Sequence, residues 1–383
     1  MKNGWQTKQL GDLCEVIAGQ SPEGKFYNAE GKGMPFYQGK KDFGEKFIEA
    51  PTTWTTQTTK VAKEGDILMS VRAPVGPVNF ATDEVCIGRG LAAIRSRAEL
   101  NRDFLFYQLW HLQPEIAGRE GAVFASINKA EIAALPLAFA PFSEQQRIVA
   151  ILDQAFDGIA TAKANAKKNL QNARALFESH QQSVFTQRGE GWAEKHLGDV
   201  CAITSRLVDP RKDEFIDLTH VGAGNIESQT GVFVELKTAR EEELISGKFL
   251  FDESMVLYSK IRPYLMKVSR PHFSGLCSAD MYPLAPLPNE ITRDYLFHLL
   301  LSKPFTDYAI QGSARAGMPK VNREHLFEFR VWLPDVKTQT KLAEELDALH
   351  EETQRLESLY QRKLAALDAL KKSLLHQAFS GQL

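Results

Sequence analysis

The pattern of apolar positions is most regular over residues 143–186. Ile148, Leu152, Ala155, Ile159, Ala162, Ala166, Ala173 and Phe177 follow one another in steps that fit a helix face, with Leu170 and Leu176 beside the seam. A pattern held for this long predicts a helix that buries one stripe against a partner helix. Pro141 stands before the stretch and Gly189 after it, a start and a stop. Ser143 with Gln146 predicts a capping box, and Gly158 is the one interior residue that weakens the helix.

A shift of 194 positions lays this stretch on a second one. Ile148 falls on Leu342, Leu152 on Leu346, Asp153 on Asp347, Leu170 on Leu364, Leu176 on Leu370, Ser179 on Ser373 and Phe185 on Phe379. The second seam reads Leu342, Leu346, Leu349, Thr353, Leu356, Tyr360, Leu367, Leu370 and Leu374. Two long helices that each need an apolar partner are expected to pair with each other, antiparallel, because a globular segment separates them.

The globular segments repeat as well. Trp5, Lys8, Leu10, Gly11, Asp12 and Cys14 return as Trp192, Lys195, Leu197, Gly198, Asp199 and Cys201. The run 65–70, followed by Arg72 and Pro74, is echoed by 254–259, followed by Arg262 and Pro263; Cys86 returns as Cys277. Arg102–Phe106 returns as Arg293–Phe297, and Gly118–Asn128 as Gly312–Asn322. β-Branched and aromatic runs bounded by turn residues predict strands at Leu13–Ala18, Asp66–Val71, Phe249–Ser259 and Glu328–Leu333. Asn101–His111 and Thr292–Leu301 read as helices. The fold class is α+β: two mixed α/β domains in tandem, each followed by a long helix, the helices forming an antiparallel coiled coil. Between the shared anchors the loops Ser21–Gly44 and Ser205–Gly231 are unlike. A shared frame with unlike loops suggests two related modules that read two different things.

Composition changes this picture little. At 383 residues the length fits two or three domains, and 25% charged residues is ordinary. No apolar run is long enough to span a bilayer and the N-terminus lacks a signal-peptide core, so a cytoplasmic chain without membrane contact is expected. The four cysteines have no zinc-site spacing and read as buried thiols. A net charge of −2 does not announce nucleic acid, but a positive groove can coexist with acidic outer surfaces. No phosphate loop, Gly-x-Gly-x-x-Gly, nucleophile elbow, histidine cluster or Asn/Asp-Pro-Pro-aromatic motif occurs. The chain reads as a binder, with no catalytic residue and no metal site.

Pro141, Glu144, Gln145, Gln146, Arg147 and Ile148 at the head of the first helix, with the endings Ser183-Val184-Phe185 and Gln377-Ala378-Phe379-Ser380-Gly381, resemble the specificity subunit of type I restriction–modification enzymes. The second copy departs from the helix-head motif at Pro334–Lys341. Gln339 and Lys341 keep register with Gln145 and Arg147, but the capping box is lost. The resemblance covers essentially the whole chain. It implies a target-recognition domain at 1–142, a conserved helix at 143–188, a second recognition domain at 189–334 and a second helix at 335–383. It further implies double-stranded DNA read in two short parts, two modification (methyltransferase) subunits bringing S-adenosylmethionine, and restriction (translocase/nuclease) subunits using ATP and magnesium. The chain itself would hold no cofactor. A helix of roughly 43 residues, roughly 65 Å long, would act as a ruler for the spacer.

DNA contact then calls for Arg, Lys, Asn, Gln, Ser and Thr on the divergent loops and near the matching strand ends. The candidates in the first half are Ser21, Lys25, Tyr27, Asn28, Gln38, Lys40, Lys41, Arg72, Arg89, Ser126 and Asn128. Those in the second are Ser205, Arg206, His220, Asn225, Lys260, Arg262, Tyr264, Ser313, Arg315, Lys320 and Asn322. Arg72 and Arg262 rank first, because they stand near corresponding places after matching strands. Lys163, Lys167, Lys168 and Arg174 on one helix and Glu344, Glu345, Glu351 and Glu352 on the other read as outer faces open to partner subunits. The competing readings are a coiled-coil scaffold with protein-binding ends, the recognition chain of another multi-subunit restriction–modification system, and a single-chain enzyme, against which the missing motifs tell.

Overall fold

The computed structural model describes residues 4–117, 126–313 and 319–383. The chain forms two compact units: unit 1 is Met1–Lys167 with Arg362–Leu383, and unit 2 is Lys168–Gln361.

Unit 1 runs β1 (Gln6–Gln9), α1 (Leu10–Leu13), β2 (Cys14–Ala18), β3 (Tyr27–Asn28), β4 (Met34–Tyr37), β5 (Trp54–Thr55), β6 (Val61–Ala62), β7 (Ile67–Ser70), β8 (Val78–Phe80), β9 (Val85–Ile87), β10 (Leu91–Ser96), α2 (Arg102–Ala117), α3 (Lys129–Ala133) and β11 (Pro136–Phe139). The long helix α4 (Phe142–Thr186) begins here and continues into unit 2. Unit 2 runs β12 (Ala193–His196), β13 (Cys201–Ala202), β14 (Leu207–Val208), β15 (Thr219–Val221), β16 (Lys237–Thr238), β17 (Lys248–Phe251), β18 (Val256–Ser259), β19 (Val268–Ser269), β20 (Gly275–Cys277) and β21 (Met281–Pro286). Then come α5 (Arg293–Leu300), α6 (Lys303–Gly312), α7 (Arg323–Phe327), β22 (Arg330–Leu333) and the second long helix, α8 (Val336–Ser380), which ends in unit 1.

Each unit holds a two-stranded antiparallel pair, β1 with β11 or β12 with β22, and the same two larger sheets. The inner one is ordered β2-β10-β7-β8 in unit 1 and β13-β21-β18-β19 in unit 2. The outer one shares the order β5-β4-β9-β6 with β16-β15-β20-β17, and its one parallel pair is β4 with β9 or β15 with β20. The fifth outer strand breaks the likeness. β3 adds beside β5, whereas β14 adds beside β17, at the opposite edge. The divergent loops therefore extend the shared sheet on different sides. The stretch expected as one strand, Phe249–Ser259, is two, because Asp252 Oδ1 accepts from the Ser254 N–H at 2.8 Å and turns the chain. All four cysteines are buried. Burial pushes the thiols of Cys14, Cys201 and Cys277 up to about 12. Cys14 and Cys201 match, but Cys277 pairs with Val221 as Ile87 pairs with Tyr37, so Cys86 is one residue out of register with it.

The two long helices pair antiparallel within each unit. In unit 1 Arg147 Nη2 donates to the Leu383 carbonyl at 2.9 Å and Lys163 Nζ reaches Asp368 at 2.7 Å. In unit 2 Arg174 Nε reaches Glu357 at 2.6 Å and the Phe177 ring lies 5.0 Å from His350. Ile148, Leu152, Ile159, Ala166, Ala173, Leu346 and Thr353 are buried as the seam requires. Leu370 is not: it is 47% exposed, while Leu375 and Ala378 are buried. A straight helix drifts away from a strict heptad by roughly 20° per repeat, so a seam extrapolated over several heptads slips by a residue. Lys163 and Arg174 spend their charge on the opposite helix and not on an outer face.

The helix heads differ from expectation. α4 begins at Phe142, with the Glu144 and Gln145 N–H groups donating to the Pro141 carbonyl, so Ser143 sits inside the first turn and the expected box does not form. In α8 Asp335 takes the capping role: its carboxylate accepts from the Thr338 N–H at 3.1 Å and hydroxyl at 2.7 Å. The residue that matters in both heads is the buried glutamine. Gln145 accepts from the Asn101 N–H at 2.7 Å and donates to the carbonyls of Glu99 and Ala140. Gln339 repeats all three bonds on Thr292, Glu290 and Pro334.

Further along, a carboxylate fixes each sheet domain to its helix. Asp153 accepts from Tyr107 Oη and from Lys46 Nζ at 3.2 Å, and Lys46 also reaches Asp103 at 3.3 Å. Asp347 accepts from Arg270 Nη2 at 2.7 Å and faces His298 Nε2 at 2.8 Å, while Arg270 also reaches Asp294 at 2.8 Å. The place is the same and the donors differ.

Candidate nucleic-acid interface

In unit 1 the end of β7 meets the tight β9–β10 turn. Ser70 Oγ donates to the Arg72 carbonyl at 3.1 Å, and the Val71 N–H donates to the Gly90 carbonyl at 3.0 Å. Arg72 forms an isolated antiparallel bridge to Ser126. The turn itself is Gly88-Arg89-Gly90. A Cβ on Gly90 would lie 2.3 Å from the Gln38 carbonyl oxygen, and one on Gly88 would lie 3.0 Å from Ser21 Oγ. At Gly90 only glycine permits that approach, whereas at Gly88 a Cβ would make the neighbouring side chains give way. The Arg89 N–H donates to Ser21 Oγ at 3.2 Å. Five expected residues therefore converge from five separate segments: Ser21, Gln38, Arg72, Arg89 and Ser126.

The other unit 1 candidates are placed differently. Lys40 and Lys41 are exposed on the 3-10 turn that follows Gln38. Lys25 pairs with Glu23 at 2.6 Å. Tyr27 donates its hydroxyl to the Pro22 carbonyl at 2.9 Å and stacks on Phe36, and Asn28 closes a loop on the Lys32 backbone. Asn128 caps α3, accepting from the N–H groups of Ala130 and Glu131.

Unit 2 repeats the backbone frame with other side chains. Ser259 Oγ donates to the Ile261 carbonyl at 3.2 Å, the Lys260 N–H to the Asp280 carbonyl at 3.1 Å, and Ile261 bridges to Lys320. The counterpart of Arg72 is thus Ile261; Arg262 lies one residue beyond. Lys260 Nζ donates to the Ala279 carbonyl and stands 3.7 Å from Asp280 Oδ1, and Lys320 Nζ stands 3.8 Å from the same oxygen. Burial, and then the Lys320 charge, lower the Lys260 pKa. Asp280, which the sequence did not single out, holds two ammonium groups at the spot where unit 1 has Gly90. The next turn is bounded by two left-handed residues, exposed Arg262 at φ 50° and Met266 at φ 48°, with exposed Tyr264 between them.

Arg206 is exposed, and Ser205 donates to the Leu250 carbonyl at 2.6 Å. His220 is buried with Nδ1 2.8 Å from Glu242, and burial lowers its pKa. Asn225 binds the backbone of Gly222, Val234 and Glu235. Ser313 is buried against the Ile310 carbonyl, and Asn322 caps α7 through the His325 N–H. Arg315 lies outside the described residues. A cavity of about 650 Å³ in unit 2, lined in part by Arg174, His298, His350 and Glu357, includes none of Lys260, Arg262, Tyr264 or Lys320.

A duplicated α+β protein whose halves repeat one strand-end frame, each with its own set of exposed cations, is a two-module recognition protein in design. The chain belongs to the type I restriction modification DNA specificity domain family, whose model matches residues 2–172 and again 189–363. It is 25% identical to the EcoDI specificity subunit of Escherichia coli, over 99% of this chain and 88% of that one. It is 40% identical over 174 residues to the putative MjaX specificity subunit of Methanocaldococcus jannaschii, a match spanning 44% of this chain and 40% of that relative's length. Among solved structures, the HsdS subunit from Thermoanaerobacter tengcongensis aligns over 100% of this chain and 98% of its own, with TM-score 0.66 and 17% identity. A chain from a study of complex assembly and conformational transition of the type I R-M system aligns over 100% and 99%, with TM-score 0.79 and 17% identity. At that identity the likeness is one of fold.

Proposed function

We propose that this chain is the specificity subunit of a type I restriction–modification complex and reads duplex DNA in two parts, one per unit. The observation that carries the reading is the repeated frame at the end of β7 and of β18. It gathers Ser21, Gln38, Arg72, Arg89 and Ser126 in unit 1, and Lys260, Arg262, Tyr264 and Lys320 in unit 2. Lys40, Lys41 and Arg206 add positive charge from the divergent loops. Asn128, Asn322, Ser313, His220, Asn225 and Tyr27 each spend their polar groups on bonds within their own unit and contribute to its fold, not to DNA contact. The chain contributes recognition and assembly, not chemistry. Modification subunits bring S-adenosylmethionine to adenine, and restriction subunits bring ATP- and magnesium-dependent cleavage. Among the described residues no helix is long and apolar enough to cross a membrane.

The test is co-expression with the neighbouring modification-subunit gene, followed by single-molecule sequencing of host DNA. A two-part methylated-adenine motif that depends on this chain is the expected result. A stable complex that leaves the DNA unmodified would turn the reading toward a protein scaffold.

A further inference from the structure

We propose that Arg89 reads a guanine in the half-site of unit 1, and that unit 2 reads no base from the corresponding position; this rests on the DNA-reading function proposed above. Among the described arginines that precede α4, Arg72 and Arg89 are the two whose guanidinium groups have no acceptor among the described residues. Arg95 is held by Asp66 and Glu15, Arg97 by the Asp12 carbonyl, Arg102 by Asp103 and Arg147 by Glu144. Arg89 is exposed between two buried glycines. Its own N–H is held by Ser21 Oγ, the turn is tied to Tyr37 by the Gly88 N–H at 2.8 Å, and it is tied to Val71 by the Gly90 carbonyl. The base of the side chain is therefore fixed while its head is free.

That combination suits base-edge reading. A guanidinium fork matches guanine O6 and N7 together, and its discrimination depends on a rigid mount. A phosphate contact asks for charge and tolerates slack, as the exposed Lys40 and Lys41 would provide. In unit 2 the same turn, Ser278 to Asp280, repeats the backbone bonds, with the Ser278 N–H on the Val221 carbonyl and the Met281 N–H on the Ser278 carbonyl. The residue in the place of Arg89 is Ala279, and Asp280 beside it is engaged by Lys260 and Lys320. The frame is the same, and the reading head has been removed.

The experiment is selection from a randomised duplex library with the full-length chain, comparing wild type with Arg89→Ala and Arg89→Lys. Wild type is expected to select a two-part motif. Both variants should lose the preference for one guanine, by roughly 5- to 150-fold, and keep the other half-motif unchanged. Replacing that guanine by 7-deazaguanine, which lacks N7, should weaken wild type and leave Arg89→Ala unaffected. A variant that keeps the full guanine preference overturns the assignment. So does a loss spread evenly over all sequences with a salt slope smaller by about one, because that marks a phosphate contact. If wild type selects no motif at all, the DNA reading itself fails and takes the assignment with it.

Discussion

Gln145 and Gln339 each spend a whole side chain on three backbone groups that would otherwise be buried without partners. Replacing Gln145 by Ala leaves the Asn101 N–H and two carbonyls unpaired, which costs about 2–4 kcal/mol. Denaturant unfolding together with faster hydrogen exchange at the Asn101 amide would register it; an unchanged amide would show that the bond does not hold the helix head. Asp347 makes a second residue-level case. Burial alone would raise its carboxyl pKa, but the hydrogen bonds and charges of His298 and Arg270 more than reverse this and hold it well below the usual carboxylate range. Because its folded pKa is depressed, Asp347 contributes stability that is present above the unfolded value of about 4 and is lost as pH falls below it. Asp347→Asn is therefore expected to weaken unit 2 at neutral pH and to flatten its acid limb, read from unfolding midpoints between about pH 3 and 7. Sequence alone could align Asp153 with Asp347 but not find their partners, which come from segments distant in the chain. It also could not separate Asn128 and Asn322, which cap helices, from residues open to DNA. The same amide serves either purpose, and only the neighbouring N–H groups decide.

At the scale of elements, the long helices were the most legible feature, because a 3.6-residue period sustained over 45 residues fits little besides a helix. Their charges also bear on which helix pairs with which. Residues 163 and 357 are equivalent in the repeat, as are 174 and 368, yet unit 1 pairs Lys163 with Asp368 and unit 2 pairs Arg174 with Glu357. Both cations lie on α4 and both anions on α8. An antiparallel pair of two α4 helices would set Lys163 against Arg174, and a pair of two α8 helices would set Glu357 against Asp368. The divergence of the two copies favours the pairing found and opposes self-pairing. Lys163→Glu and Asp368→Lys should each lower the unfolding midpoint, and the double variant should recover it. Simple addition of the two losses would show that the two charges do not interact. The outer strands were poorly legible. β3, β5, β6, β14 and β16 have two residues each, too few to display an alternation, and nothing local determines at which sheet edge β3 or β14 will add.

For the whole molecule, the duplication was plain in the sequence because anchors recur in the same order, and the structure sharpens the alignment at two places: Arg72 matches Ile261, and Cys277 matches Ile87. Those one-residue slips fall where insertions separate the anchors, and they matter because they change which side chain stands at the reading position. The helices were spared such insertions, as expected if their length itself is under constraint. Each is 45 residues long and is shared by both units. Removing one heptad from α4 together with the facing heptad of α8 keeps the seam in register and shortens each helix by about 10 Å. At roughly 3.4 Å per base pair that is about three base pairs of duplex. The expected outcome is a methylated motif with both half-sites intact and a spacer shorter by about that amount, read by sequencing modified host DNA. A spacer that stays the same would show that helix length does not set it, while loss of one half-site alone would mean that the deletion had disturbed the unit that reads it.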